Sequence, residues 1–170
     1  DEAGGVSTWQ LVGGAEAALA RIDEFTAFAG PVSLFAASLR NKGFWVGDSG
    51  GTLRFDYSTT GQTLLDVGAG AALAAIGFAP KADGIVAADT SGRLLRWDFE
   101  CPHPEVSLRA LFGKIWYEGY DHPDYVWQST GGTDDFEAKL SLTPLLFGTL
   151  KGTFYALLFA VPVALGAALY

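Results

Sequence analysis

Along most of this chain apolar and polar residues alternate in short runs broken by Gly and Asp, and towards the C-terminal end the alternation gives way to an unbroken apolar run. A period of two predicts half-buried β-strands, and the breaks predict tight turns. Strands are expected over Leu34 to Ala37, Phe44 to Val46 and Thr52 to Tyr57, and again over Ala75 to Phe78, Ile85 to Ala87 and Arg93 to Phe99. Val6 to Val12, following Gly4-Gly5, alternates like the last strand of an earlier unit, with Leu19 to Phe28 opening the next. Glu16 to Arg21 would suit a short helix by propensity, but the flanking Gly pair and the repeat favour a strand.

The two strand sets are copies of one another. Phe44-Trp45-Val46-Gly47-Asp48-Ser49-Gly50-Gly51 aligns with Ile85-Val86-Ala87-Ala88-Asp89-Thr90-Ser91-Gly92 at an offset of 41. After one inserted residue, Arg54-Phe55-Asp56 falls on Arg96-Trp97-Asp98. A period of that size ending in an aromatic-Asp pair is the pattern of a four-stranded β-propeller blade of the WD-repeat kind. Residues 1-106 are therefore expected to form propeller-like blades, a partial one and then two repeats. Such rings close with about four to eight blades, so the chain reads as a fragment whose missing blades lie upstream.

The apolar run predicts a transmembrane helix within 141-170. Gly152 to Tyr170 carries no charge, and as a helix it would span roughly 28 Å, about the hydrocarbon thickness of a bilayer. Thr143 is expected as the N-cap with Pro144 at the first helical position, and Pro162 as the site of a kink. Gly148, Gly152, Ala156, Ala160, Ala164 and Ala168 recur at every fourth position, a strip of small side chains that lets a second helix approach closely. Lys151 lies near enough to the start to snorkel.

Residues 107-140 read as an aromatic and acidic interfacial linker. Trp116, Tyr117, Tyr120, Tyr125 and Trp127 crowd ahead of the helix, as expected of rings at headgroup level, though an ordinary aromatic cluster closing the strand units would show the same composition. Leu108 to Trp116 would make a short interfacial helix with its basic residues turned to lipid headgroups. Six acids and one base lie between Glu118 and Lys139, and this shortage of Lys and Arg places that side of the helix outside the cytoplasm.

Charge and candidate chemistry mostly exclude. A net charge of -8 leaves nothing to neutralise a run of phosphates, so no nucleic acid is expected as a partner. One cysteine, Cys101, permits no internal disulfide and reads as a small apolar side chain. His103 and His122, 19 residues apart, match no metal-ligand spacing, so no metal or cofactor is expected. Gly47-Asp48-Ser49-Gly50-Gly51 spells the motif around the nucleophile of chymotrypsin-like serine proteases. In that family the histidine base precedes the serine, whereas both histidines here follow it, and the repeat explains the string as a hairpin turn. No Gly-rich phosphate loop ending in Lys-Ser/Thr is present, and no enzyme activity is expected of this chain.

The run Pro144 to Tyr170, PLLFGTLKGTFYALLFAVPVALGAALY, resembles the opening of the transmembrane core of ABC importer permeases, specifically the phosphate-specific family. Upstream, LFGKIWYEGYDHPDYVWQSTGGTDDFEAKLSL resembles the segment that joins a large extracytoplasmic insertion to that helix in one branch of the family. The resemblance implies a permease subunit in the bacterial inner membrane, with residues 1-140 extracytoplasmic. It also implies a second permease subunit, an ATPase subunit and an anion-binding protein as partners, besides membrane lipid. The alternative is a membrane-tethered β-propeller module that binds a protein and uses the helix as an anchor.

Overall fold

A computed structural model describes residues 1–12, 17–133 and 136–170. Strands β1 (Val6–Val12) and β2 (Ala18–Phe25) pair as an antiparallel hairpin. Strands β3 (Val32–Ala37), β4 (Gly43–Asp48), β5 (Thr52–Tyr57) and β6 (Gln62–Gly68) form a four-stranded meander, and β7 (Leu73–Phe78), β8 (Gly84–Asp89) and β9 (Leu94–Asp98) a three-stranded one. A short helix α1 (Leu108–Phe112), a two-residue ladder of β10 (Trp127–Gln128) with β11 (Lys139–Leu140), and the long helix α2 (Thr143–Leu169) complete the chain. The protein is mainly β, in antiparallel sheets none of which closes on itself, followed by an apolar C-terminal helix.

The four-stranded sheet is the centre of the packing, and its sequence shows why. Every residue of β4 is buried, because both faces of the sheet are covered and alternation can no longer be half polar. On one face Trp45, Leu53 and Phe55 meet Ile85, Ala87, Leu95 and Trp97 of the three-stranded sheet. The rings of Trp45 and Phe55 stack at 5.3 Å, and Phe99 closes on both. On the other face Phe44 and Val46 pack against Phe25 and Phe28, at the end of the first hairpin and just beyond it. Among the described residues, nothing covers one face of that hairpin and one of the three-stranded sheet, where Trp9, Leu11 and Leu19, and Val86 and Leu94, are exposed.

The repeat holds in three dimensions, with one correction. Trp45 pairs with Phe55 as Val86 pairs with Arg96, Ala36 pairs with Trp45 as Gly77 with Val86, and the bulge between Val32 and Leu34 recurs between Leu73 and Ala75. The turns agree as well. Asp48 Oδ1 accepts from the Gly50 and Thr52 amides, and Asp89 Oδ1 from those of Ser91 and Arg93. The shift is therefore 41 throughout, with no inserted residue, since a side-chain-locked turn of fixed length leaves no room for one. The counterpart of Arg54 is Leu95 and that of Asp56 is Trp97. Arg96-Trp97-Asp98 is out of phase with Arg54-Phe55-Asp56 by one residue, which puts its side chains on opposite faces. Phe55 and Trp97 enter the same core cluster from the two sides, so the matching triplets are not equivalent positions.

A third copy of the turn opens the chain. Asp1 Oδ1 accepts from the Gly5 amide at 2.6 Å and the Asp1 carbonyl from Gly4, as Asp48 does with Thr52 and Gly51. Gly4, Gly51 and Gly92 all take positive φ, at 81°, 89° and 86°, a conformation open to glycine at little cost. Two further expectations are corrected. Ala18 to Phe25 pairs back on β1 instead of opening the next unit, because β3 to β6 already form a complete meander. The strand favoured over a short helix for Glu16 to Arg21 is present from Ala18, Glu16 lying outside the described residues. Strand β6, for which the sequence carries no expectation, pairs with β5. Finally, the N-cap of α2 is Leu142, with no side-chain capping bond. Thr143 is already helical, and its hydroxyl donates instead to the Phe112 carbonyl at 3.4 Å.

Candidate membrane interface

Helix α2 has 27 residues, about 40 Å at 1.5 Å per residue, and none of them is buried. Nothing in the described residues covers Leu146, Phe147, Leu150, Phe154, Leu157, Phe159, Val163 or Leu165. A helix apolar all round is stable only when lipid or other helices surround it, and its length exceeds the hydrocarbon core of a bilayer. Gly148, Gly152, Ala156, Ala160, Ala164 and Ala168 lie along one inclined ridge, each step turned by about 40° from the last. A Cβ placed at Gly148 or Gly152 would meet open space, so the strip is uncovered. Pro144 sits in the first turn, and the helix continues through Pro162 to Leu169. Thr149 returns its hydroxyl to the Leu145 carbonyl at 2.8 Å, and the Lys151 ammonium lies 5.9 Å from the Tyr155 ring.

The linker is strapped to the sheets at several points. Lys42 Nζ meets Glu118 at 2.8 Å, Gln10 donates to the Trp116 carbonyl at 3.3 Å, and the Tyr57 hydroxyl donates to Glu137 at 2.8 Å. Burial, reinforced by Glu137, pushes the Tyr57 phenol above its ordinary range, so it stays a donor at any physiological pH. Helix α1 ends at Phe112, short of the Trp116 expected, because the Gly113 amide caps back on Arg109 and the chain turns into the Ile115–Asp124 bridge. Its basic residue is bonded to the sheets while staying half exposed: Arg109 Nη1 meets Asp23 of β2 at 2.6 Å and the Thr60 carbonyl at 3.2 Å. The expectation of basic residues turned to headgroups is thus corrected for Arg109, whose charge is taken by the sheets.

The five linker aromatics separate into two groups. Tyr117 is buried with Ala110 and Ile115, and Tyr120 packs on it, ring centroids 6.2 Å apart. Burial, with Glu137 nearby, pushes the Tyr117 phenol up to about 12. Trp116 is partly buried and donates its indole N–H to the Tyr120 carbonyl at 2.7 Å. Tyr117 and Tyr120 thus belong to a small core within the linker, to which Trp116 is tied by that bond. Tyr125 and Trp127 remain exposed. The short helix expected from Leu108 onward forms over Leu108–Phe112, and its two ends, Leu108 and Phe112, lie one turn apart and are 79% and 52% exposed.

The joint between linker and α2 is built from backbone. The Leu142 amide donates to the Leu111 carbonyl at 2.8 Å and the Ser141 amide to that of Val126 at 3.0 Å, while Trp127 pairs with Leu140. Ser49 lies in the Asp48 turn, His103 is exposed beside Glu105 at 3.3 Å, and His122 is exposed. Cys101 packs against the main core, and its thiol is raised by burial.

No protein-family model matches the chain, and no curated protein is similar to it. Among solved structures it is similar to the computationally designed Ika4 protein, at 18% identity and a TM-score of 0.41, over 48% of this chain and 49% of that one. The chain thus spans about half the length of that designed protein, a likeness too low to bear on fold or function.

Proposed function

We propose that this chain is part of the membrane permease subunit of an ABC importer, with phosphate as cargo, contributing an extracytoplasmic β domain and one membrane-spanning helix. The observation that carries the reading is α2, long, apolar on every side and lined by an uncovered strip of small residues. A single anchor has no use for such a strip, whereas a helix within a bundle packs through it. In this reading a second permease subunit and further helices cover the strip, an anion-binding protein delivers the cargo to the outer side, and ATP is hydrolysed on a separate ATPase subunit. The β domain belongs to a propeller-like insertion. The four-stranded sheet is one whole blade, the hairpin β1–β2 is the outer half of the one before, and β7 to β9 begin the one after, each bare face awaiting a neighbour.

The test is transport in the bacterium that makes the protein. Disrupting the gene is expected to abolish high-affinity uptake of radiolabelled phosphate, with restoration by the intact gene. Unchanged uptake of phosphate and of other oxyanions would contradict the reading. The second reading, a tethered interaction module, is favoured by one observation: large apolar residues, Trp9, Leu11 and Leu19 on one face and Val86 and Leu94 on another, are exposed together. It predicts unchanged uptake together with retention of the chain in the membrane.

A further inference from the structure

We infer that Leu108 and Phe112 of α1, with Tyr125 and Trp127, rest on the glycerophospholipid surface beside the start of α2, so that lipid contact sets how the sheets stand on the membrane. The inference rests on the reading of α2 as a membrane span, and the rest of it comes from how α1 is held. Ala110 of this helix is buried and Arg109 is bound to Asp23 and the Thr60 carbonyl, so one side is committed to the β domain. The opposite side carries Leu108 and Phe112, large, apolar and open. Capping of the Ala110 amide by Ser107 and of the Arg109 carbonyl by the Gly113 amide fixes the short helix at both ends.

The same helix is tied to the beginning of α2. Leu111 accepts from the Leu142 amide, and Phe112 from the Thr143 hydroxyl, the first helical residue. Phe112 therefore lies where α2 would leave the lipid. Trp127 is held there too, by its pairing with Leu140 two residues before Leu142. Amphipathic rings suit headgroup depth, with the ring body towards acyl chains and the polar edge towards water. Lys114, its ammonium 5.5 Å from the Tyr125 ring, puts a positive charge beside that ring where lipid phosphates would lie. The occupant is a lipid surface because the patch is continuous, through these bonds, with the helix that needs lipid.

Depth measurement tests this on the full chain in phosphatidylcholine–phosphatidylglycerol vesicles. Cys101→Ala removes the native thiol, and spin labels are placed singly at Leu108→Cys, Phe112→Cys, Phe154→Cys in α2 and Ser91→Cys in the β8–β9 turn. Labels at 108 and 112 are expected to collide with a water-soluble nickel chelate roughly tenfold less than the label at 91, and to lie shallower than that at 154. If 154 lies in lipid while 108 and 112 behave like 91, the surface contact is wrong and the span stands. Exposure of 154 to nickel overturns both. Labels at 108 and 112 screened from oxygen as well as nickel would mean a protein cover, and that overturns the lipid assignment. An unlabelled control uses Trp127→Phe, which is expected to remove a component of tryptophan fluorescence that shallowly brominated lipids quench. Quenching unaltered by the substitution counts against the inference.

Discussion

Arg54 and Arg96 each precede an aromatic residue and an aspartate, yet they stand on opposite faces of their sheets. Arg54 and its partner Asp56, 2.9 Å apart, are 7% and 0% exposed, whereas Arg96 and Asp98, at 2.6 Å, are 72% and 68% exposed. Arg54 lies over the Phe28 ring at 4.3 Å and reaches the Thr26 carbonyl, and Asp56 also accepts from the Thr63 hydroxyl. Removing one member of the inner pair strands the other charge without water.

Arg54→Leu is accordingly expected to destabilise the β domain by about 3–5 kcal/mol, and Arg96→Leu by less than about 1 kcal/mol. Urea unfolding of the full chain in detergent, followed by tryptophan fluorescence, measures both. Equal losses would mean that the register separating the two pairs is wrong.

Gly51 and Gly92 share a positive φ but not their surroundings. A Cβ at Gly51 would run into the Ala71 carbonyl, while one at Gly92 meets nothing. Gly92→Ala is expected to cost about 1 kcal/mol, the backbone conformation alone. Gly51→Ala adds steric overlap and is expected to cost about 3 kcal/mol or more. The same unfolding experiment ranks the two, and a smaller loss at Gly51 would refute the assignment.

Acid should weaken the β8–β9 turn. The Ser91 hydroxyl, the Arg93 and Ser91 amides and the Arg93 guanidinium hold the Asp89 carboxyl below the usual carboxylate range. Protonation then costs the folded state more than the unfolded one. The stability Asp89 supplies is complete above the unfolded value, roughly 4, and is lost as the pH falls through the lower folded value. Urea midpoints taken across that acid range are expected to fall less steeply for Asp89→Asn than for the unsubstituted protein. Parallel curves would contradict this.

The linker should loosen without Arg109. Replacing Arg109 by Ala leaves Asp23 and the Thr60 carbonyl without this partner, and the partly exposed pair is expected to contribute about 0.5–1 kcal/mol in a double-mutant cycle with Asp23→Ala. Limited proteolysis between residues 99 and 107 is expected to quicken in the same variant. An unchanged cleavage rate would show that the other straps suffice.

How much the sequence revealed depends on how local each signal was. Alternation and the Asp/Gly turns placed β1, β3 to β5 and β7 to β9 because strands and hairpins are written in neighbouring residues. Identity of residues misled where register decides: Arg-aromatic-Asp matched by eye, but the turn lengths set by Asp48 and Asp89 put Leu95, not Arg96, opposite Arg54. Strand β6, Gln-Thr-Leu-Leu-Asp-Val-Gly, lacks the aromatic and turn markers of its neighbours and is defined by pairing with β5. In the linker, composition marks the aromatic cluster as a whole, of which Tyr125 and Trp127 stay exposed. The burial of Tyr117 and the pairing of Arg109 were not legible there, since the latter depends on Asp23, 86 residues earlier in the chain.

The account stands or falls on where the sheets sit relative to the membrane that α2 is read to cross. The direct measurement labels a single cysteine in the β8–β9 turn, Ser91→Cys with Cys101→Ala, using a membrane-impermeant maleimide on intact spheroplasts of the expressing bacterium. Labelling before lysis, on protein that stays in the membrane pellet after alkaline carbonate, is the predicted result. Labelling only after lysis, or release of the chain into the carbonate supernatant, would contradict it.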